Sequence, residues 1–306
     1  MDSFDNIIRQ EQLVQLQTLK KLNEVCRKYG IKYWMGFGSL IGTIRHQGFI
    51  PWDDDLDIGI MRDDYNKLLQ VPEEEWGDQL LLCSPKSNDE RHDKTFARIY
   101  VKNSKVQSLK DVQHWRRWSD NKAWSTSLMC DLIIFDRVPE DHAEFLKVHK
   151  IFDKRKKKYK IAKLKPYTTS KRITDIIKTF IKRFYSRLLR FFRKEPWAVI
   201  DSKNEKLALK HQGTHIGSYC VTNCNDSRGT HTFPEDYFFP LKEAKFEGIS
   251  VFVPNKYDEM LRCLYGDYMV PPPEPDRHHL IPIYLDLGDG VEHIFSEVPG
   301  SLADHT

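Results

Sequence analysis

Gly38-Ser39-Leu40-Ile41-Gly42-Thr43-Ile44-Arg45-His46-Gln47-Gly48-Phe49-Ile50-Pro51-Trp52-Asp53-Asp54-Asp55-Leu56-Asp57-Ile58-Gly59 is the stretch that decides how this chain reads. Four aspartates stand within five positions at the entrance to an apolar run, Leu56 to Met61, that has the pattern of a buried strand. Side chains alternate along a strand, so Asp55 and Asp57 are expected on one face while Leu56 and Ile58 enter the core. Like charges packed this closely repel, burial adds to the cost, and a divalent cation is the simplest compensation. The bland alternative is a solvated acidic loop or a weak calcium site. The strict alternation after the aspartates and the glycine-serine turn before them make it the minority reading.

Upstream, Ile31 to Phe37 reads as a buried strand, and Ser39 to about Arg45 as a short helix with Ser39 as its cap. A Gly38-Ser39 turn between strand and helix presents backbone N–H groups and a hydroxyl, a cradle for a phosphate oxygen. Gly42 and Gly59 leave room for close approach. Magnesium, or manganese in its place, takes oxygen ligands and shares them between carboxylates and substrate phosphates, so both halves of the motif suit one reaction class. The metal set expected is Asp53, Asp55, Asp57 and Asp131, with Asp54 as an alternative to Asp53. Asp131 opens another apolar strand, Cys130 to Phe135, where an unpaired charge is expensive. A strand-edge aspartate facing water is the competing explanation.

Further out, Asp5 to Tyr29 carries apolar residues at three- and four-residue spacing, a helix stopped by Gly30. Phe96 to Val101 and Phe246 to Val253 have strand character. Glu73 to Asp78 and Lys86 to Asp93 read as polar loops, and Lys256 to Tyr265 as a helix ended by Gly266. Pro271 to Pro275 form a stiff extended stretch before His278 and His279, and the tail after Gly290 is expected to be loosely ordered. The fold class expected is α+β, a mixed β-sheet flanked by helices. A catalytic core spans 1–140, a basic helical insertion 141–200, and an α/β part completing the catalytic domain 201–306.

Charge is unevenly spread. The chain of 306 residues has a formal net charge of +4. Between Lys147 and Glu195 stand 19 Lys or Arg against three acidic residues, so this segment supplies the whole positive excess. That argues against a nucleic-acid partner and for a local anionic one. Ile173, Ile176, Ile177, Phe180, Ile181, Phe184, Leu188 and Phe191 form one apolar stripe of a helix, with Lys171, Arg172, Lys178, Lys182, Arg183, Arg187 and Arg190 on its other faces and Pro196 closing it. Two readings stand side by side: an insertion packed on the core, and a helix lying on an anionic membrane surface. No apolar run is long enough to cross a bilayer and the N-terminus lacks a signal-peptide stretch, which predicts a cytoplasmic protein, peripheral at the inner face of the membrane under the second reading. The six cysteines are scattered and imply neither a disulfide framework nor, from Cys220, Cys224 and His215, a zinc site.

The run from Tyr33 to Ile60 closely resembles the LicD family of phosphotransferases, which attach phosphocholine to bacterial cell-surface glycans and are related to the fukutin group that transfers ribitol phosphate. The resemblance continues in Asp131 with Asp136, in Phe246-Glu247-Gly248, Pro254, Tyr257-Asp258 and Tyr265-Gly266-Asp267-Tyr268, and in Pro271 to Pro273 with His279 beyond. It implies a nucleotidyltransferase fold, a CDP-activated alcohol such as CDP-choline as donor, and a glycan or lipid-linked glycan as acceptor, with CMP released. Under it Asp55, Asp57 and Asp131 are the catalytic carboxylates. Gly38, Ser39, Arg45, Arg98 and His279 are the substrate-contacting residues. For Arg45 with His46 the alternative is a helix C-terminal cap, for Arg98 an ion pair at a sheet edge, and for His279 simple exposure. Trp52 suits either stacking on a base or packing. Two other classes remain: a conventional nucleotidyltransferase that releases pyrophosphate, and a non-catalytic membrane-binding adaptor resting on the basic helix.

Overall fold

The computed structural model describes residues 4–85, 87, 96–108, 127–163, 173–192, 196–220, 231–274, 277 and 282–294. His279, Lys171, Arg172, Cys224 and nearly all of the Lys86 to Asp93 stretch lie outside them.

Helix α1 runs Phe4–Lys28 and buries Ile7, Leu16, Leu19, Leu22, Val25 and Cys26. Its spacing is the sequence's three-and-four pattern, and Gly30 at φ +62 lets the chain turn into strand β1, Tyr33–Met35. Strand β1 is shorter than Ile31 to Phe37 because the following helix, α2 at Phe37–Ile41, starts early. Its N-cap is Gly36, and no side chain caps it, so Ser39 is a first-turn residue rather than the cap. One π-helical turn, Gly42–His46, extends α2. Strand β2 (Asp57–Met61) follows, then α3 (Arg62–Leu68), a 3-10 turn at Glu73–Trp76, β3 (Leu80–Cys83), β4 (Ala97–Val101), β5 (Lys105–Ser108) and β6 (Met129–Val138). The 3-10 turn is no solvated loop: Trp76 is 3% exposed and belongs to the core.

Helices α4 (His142–Lys163), α5 (Ile173–Phe192) and α6 (Pro196–Lys210) make the next block. Pro196 opens α6 instead of closing α5, a first-turn position where its missing N–H costs nothing. Helix α6 crosses position 200, so the expected boundary there falls inside one helix. Strands β7 (His215–Gly217) and β8 (Phe233–Pro234), helix α7 (Glu235–Phe238), strands β9 (Lys242–Phe246) and β10 (Ile249–Val253), helix α8 (Tyr257–Tyr265), and strands β11 (Pro282–Asp286) and β12 (Glu292–Ile294) complete the chain. The Phe246 to Val253 run is therefore a hairpin corner: Glu247 and Gly248, at φ 47 and 80, turn β9 back as β10. Beyond Gly290 the chain pairs once more, β12 on β11, and β11 on β5.

The central sheet has seven strands, in the order β1-β2-β6-β4-β3 with β7 joined to β6 and β8 to β7. Among the described strands of this sheet only β2 and β6 run parallel; β1–β2, β6–β4, β4–β3 and β6–β7 are antiparallel. The fold is α+β with a mixed sheet, as its sequence suggests. Ile58 and Ile60 of β2, Leu132 and Ile134 of β6, and Ala97 and Ile99 of β4 face α1 in the main core. The alternate residues Trp34, Met61, Ile133 and Phe135 face a second, aromatic-rich core with Phe233, Phe238 and Met260. Asp57, Asp131 and Arg98 share the parity of that second face.

Candidate active site

Three charged side chains meet across three adjacent strands. The parallel ladder sets Asp57 of β2 opposite Asp131 of β6, and the antiparallel ladder sets Arg98 of β4 opposite Asp131. Arg98 grips Asp131 through Nε to Oδ1 at 2.5 Å and Nη2 to Oδ2 at 3.3 Å. Strand β4 lies inside the sheet, so this is no edge pair: Arg98 is 7% exposed, and the bond to Asp131 satisfies a buried guanidinium.

Asp53 to Leu56 form an irregular approach to β2, so Asp55 is aimed by the loop and not by the pleat expected for it. The loop nevertheless folds back on the strand. Asp55 and Asp53 share a side-chain hydrogen bond, and the charges of Asp53, Asp55 and Asp131 all bear on Asp57. Asp55 is exposed and Asp53 and Asp57 are half-buried, yet protein crowds each carboxyl enough that desolvation is the leading influence on it. Desolvation first, then the neighbouring aspartates, push Asp53 and Asp57 well above the usual carboxylate range; Asp55 is raised by burial and Asp131. Carboxylates crowded in this way repel one another, and a divalent cation is the counter-charge that would hold them together.

Helix α1 adds residues that sequence reasoning passed over. Gln12 Nε2 donates to the carbonyls of Ile50 (3.1 Å) and Asp53 (2.9 Å), and Gln15 Nε2 donates to the carbonyl of Asp54. Glu11, 3% exposed, is a further carboxyl facing the loop, held far above its ordinary pKa by burial and then by Asp54 and Asp55. Polar residues at core-facing positions of an amphipathic helix were the available signal. The turn from β1 into α2 is equally tight. Ser39 Oγ accepts the Asp57 N–H at 2.9 Å, pinning the helix to β2, and a Cβ on Gly38 would lie 2.9 Å from Asp53 Oδ2. Phe37 adopts φ 44, a left-handed strain that surrounding packing must hold in place. The close approaches at Gly42 and Gly59 are made by the protein itself: the Gly48 carbonyl lies against the first and the Trp34 indole against the second.

A basic and aromatic group adjoins the acidic loop. Arg45 donates to the Tyr268 carbonyl (2.5 Å) and to His46 Nε2 (2.9 Å), while the Arg277 guanidinium sits 4.4 Å over the Trp52 ring. Arg45 is lowered by burial and then by the Arg277 charge, and His46 by burial and then by Arg45. Two guanidinium groups held close enough to repel suit an anion between them. Trp52 is thus packed, with Arg277 on one face, and Arg277 is a residue the sequence did not single out.

The C-terminal motifs act as braces. The Glu247 N–H donates to the Gln47 carbonyl at 2.7 Å, Arg9 clamps the Glu247 carboxylate at 2.7 and 2.9 Å, and Tyr268 Oη donates to Asp258 at 2.7 Å. Asp136, expected beside Asp131, lies away from the site. Five positions along a strand reverse the face, and Asp136 instead forms a buried bidentate pair with Arg62 at 2.5 and 2.8 Å. Burial pulls the Arg62 pKa down and Asp136 more than restores it. Cys26, Cys83, Cys130 and Cys220 are buried, as the sequence suggests, and burial pushes the Cys220 thiol up to about 12.

Among the described residues no three His, Cys, Asp or Glu side chains already converge on one point. Magnesium does not require that, since it commonly takes one or two carboxylates and completes its shell with water and substrate phosphates. Crowded carboxylate oxygens, with pKa values raised by burial and by one another, fit that ion. On the same face of the sheet, a cavity is lined by Trp34, Phe37, Phe135, Phe233 and Phe238 with Met260.

A mixed sheet whose parallel pair carries facing carboxylates, fed by a glycine-serine turn, defines a nucleotidyltransferase-type catalytic domain. Residues 30–171 match the family model LicD/FKTN/FKRP, nucleotidyltransferase domain, the family that the sequence resembles. The chain is 29% identical over 288 residues to the lipopolysaccharide cholinephosphotransferase LicD of Haemophilus influenzae, covering 91% of this chain and 98% of that one. A shorter stretch of 55 residues is 53% identical to the uncharacterized protein RP689 of Rickettsia prowazekii, 18% of this chain and 21% of that one. Another match of 55 residues is 38% identical to the human ribitol 5-phosphate transferase FKRP, 18% of this chain and 11% of that one.

Proposed function

We propose that the protein is a metal-dependent phosphotransferase that moves phosphocholine from CDP-choline to a hydroxyl of a cell-surface glycan precursor, with CMP released, working at the inner face of a membrane. The observation that carries this reading is the facing of Asp57 and Asp131 across the parallel β2–β6 ladder, with Asp53 and Asp55 folded over them. Similarity along nearly the whole length of a cholinephosphotransferase supports the reaction class.

Asp55 and Asp57, with Asp53, would hold magnesium or manganese. That ion supplies positive charge for the donor diphosphate and for the charge that builds on the departing CMP. Arg45 and Arg277 would bind donor phosphate oxygens, and the backbone N–H groups of the Gly38-Ser39 turn would add to them. In the transfer, a bond forms from the acceptor oxygen to the β-phosphorus of the donor, and the bond from that phosphorus to the bridging oxygen breaks, leaving CMP. The acceptor proton goes to a carboxylate of the cluster. Asp131 is assigned that part because its strand and Arg98 fix its position. The choice of choline is supported by the aromatic cavity on the same face, since ring faces attract quaternary ammonium groups.

The test is incubation with CDP-choline, CDP-ethanolamine, CDP-glycerol and CDP-ribitol, a divalent metal and a membrane glycan extract. CMP released with CDP-choline ahead of the others supports the proposal. CMP released with another donor overturns only the choice of choline. Pyrophosphate from a nucleoside triphosphate favours the nucleotidyltransferase alternative.

A further inference from the structure

Helix α5 is built inside out. Ile173, Phe180, Ile181, Phe184 and Phe191 are 72%, 71%, 60%, 64% and 84% exposed, and Ile176, Ile177 and Leu188 are also open to solvent. The same helix buries Ser186 to 3%, a residue roughly 150° around the axis from the centre of that stripe at 3.6 residues per turn. Helix α5 packs on α4, and it does so with its small polar side, while the apolar side faces away from the protein. An insertion packed on the core by its apolar stripe would show the opposite arrangement, so that reading of the segment is corrected. Exposed apolar surface of this extent marks an interaction face.

The charges say what covers it. Exposed Arg183 borders the stripe on one side and exposed Lys178 on the other, while exposed Arg187 falls just inside the Arg183 edge, within a segment of 19 basic and three acidic residues. A second copy of the stripe would bring these cationic rows against each other. An anionic bilayer gives the phenylalanines and isoleucines an acyl boundary and gives the flanking cations phosphate oxygens. No helix among the described residues is long and apolar enough to cross a membrane, so the helix lies along the surface. We infer that α5 is an interfacial anchor that lays its Ile173–Phe191 face into the surface of a membrane carrying anionic lipid. This deepens the placement proposed for the enzyme, but it stands on α5 alone and not on the catalytic residues.

The experiment is flotation of the full chain with vesicles of phosphatidylcholine alone and of phosphatidylcholine mixed with phosphatidylglycerol, alongside size-exclusion chromatography with light scattering. The chain is expected to float with the mixed vesicles, weakly with the neutral ones, and less at high salt. Phe180→Glu with Phe184→Glu should abolish flotation. Lys178→Gln and Arg187→Gln should each weaken it roughly fivefold, the effect of about one basic residue at an anionic surface. The double phenylalanine variant should release CMP from donor in solution as the parent does, which shows it folded. Equal binding to neutral and anionic vesicles, flotation that survives the double substitution, or a dimer in solution that the substitution turns into a monomer without any vesicle binding would each overturn the inference. If the parent floats but releases no CMP from any donor, the reaction proposed above fails while the anchor stands.

Discussion

Asp57 and Asp131 occupy directly paired positions of the two parallel strands β2 and β6, so two carboxylates share one face of the sheet with Arg98 beyond them. Holding them together without a cation is costly, and several expectations come from that cost.

Asp57→Asn keeps the shape of the side chain and removes the charge. Burial and the surrounding aspartates already press Asp57 toward its neutral form, so the amide should relieve repulsion. The metal-free variant is expected to melt about 1–2 °C higher than the parent, the response of a chain this size to about 1 kcal/mol, while CMP release falls to background. Thermal melts and a CMP assay check both, and near-normal turnover would remove Asp57 from the chemistry.

The response to magnesium should depend on pH. The raised pKa values of Asp53, Asp55 and Asp57 mean that the folded state holds protons the unfolded chain has released. The stability these groups contribute is therefore present below the unfolded pKa and lost as pH rises through their folded values. A cation replaces those protons. The rise in Tm on adding magnesium should be larger near about pH 8 than near about pH 5, where unfolded aspartates themselves approach their ordinary pKa. Melting curves with and without the metal across that range decide it; a shift that is the same throughout speaks against a site in this cluster.

Asp136→Ala separates structure from chemistry. It strands the Arg62 guanidinium, 6% exposed, without its bidentate partner, a change that costs about 3–5 kcal/mol. Urea unfolding should show that loss, while turnover per folded molecule stays near the parent value. Loss of turnover without loss of stability would return Asp136 to the active site.

Donor selection is expected to depend on Phe37. Phe37→Leu keeps an apolar side chain at the cavity and removes the ring. The preference for CDP-choline over CDP-glycerol, read as the ratio of kcat/KM, should drop roughly threefold to thirtyfold, the span of one cation–π contact. An equal loss with both donors would mean that Phe37 only supports the fold.

Much of the frame was legible because it rests on local signals. The amphipathic spacing of α1, the alternation of Leu56 to Met61 and the apolar run of β6 each reflect burial of one face, which a sequence displays directly. What escaped depends on distant pairing. Arg98 and Asp131 are 33 positions apart and meet only through strand register. Glu247, Asp258 and Tyr268 brace Gln47 and Arg45 across two hundred positions or more or through one another, and no periodicity records that. Phe246 to Val253 looked like one strand because the two residues of its turn are flanked by apolar residues on both sides. The orientation of α5 was the hardest to read, since an apolar stripe has the same spacing whether it faces a core or a membrane.

The most direct trial of the central claim is anomalous diffraction from crystals of the protein grown with manganese and CDP-choline. The account predicts manganese between Asp55, Asp57 and the donor diphosphate. Diphosphate bound elsewhere, with these carboxylates still hydrogen-bonded to each other and no anomalous peak beside them, would contradict it.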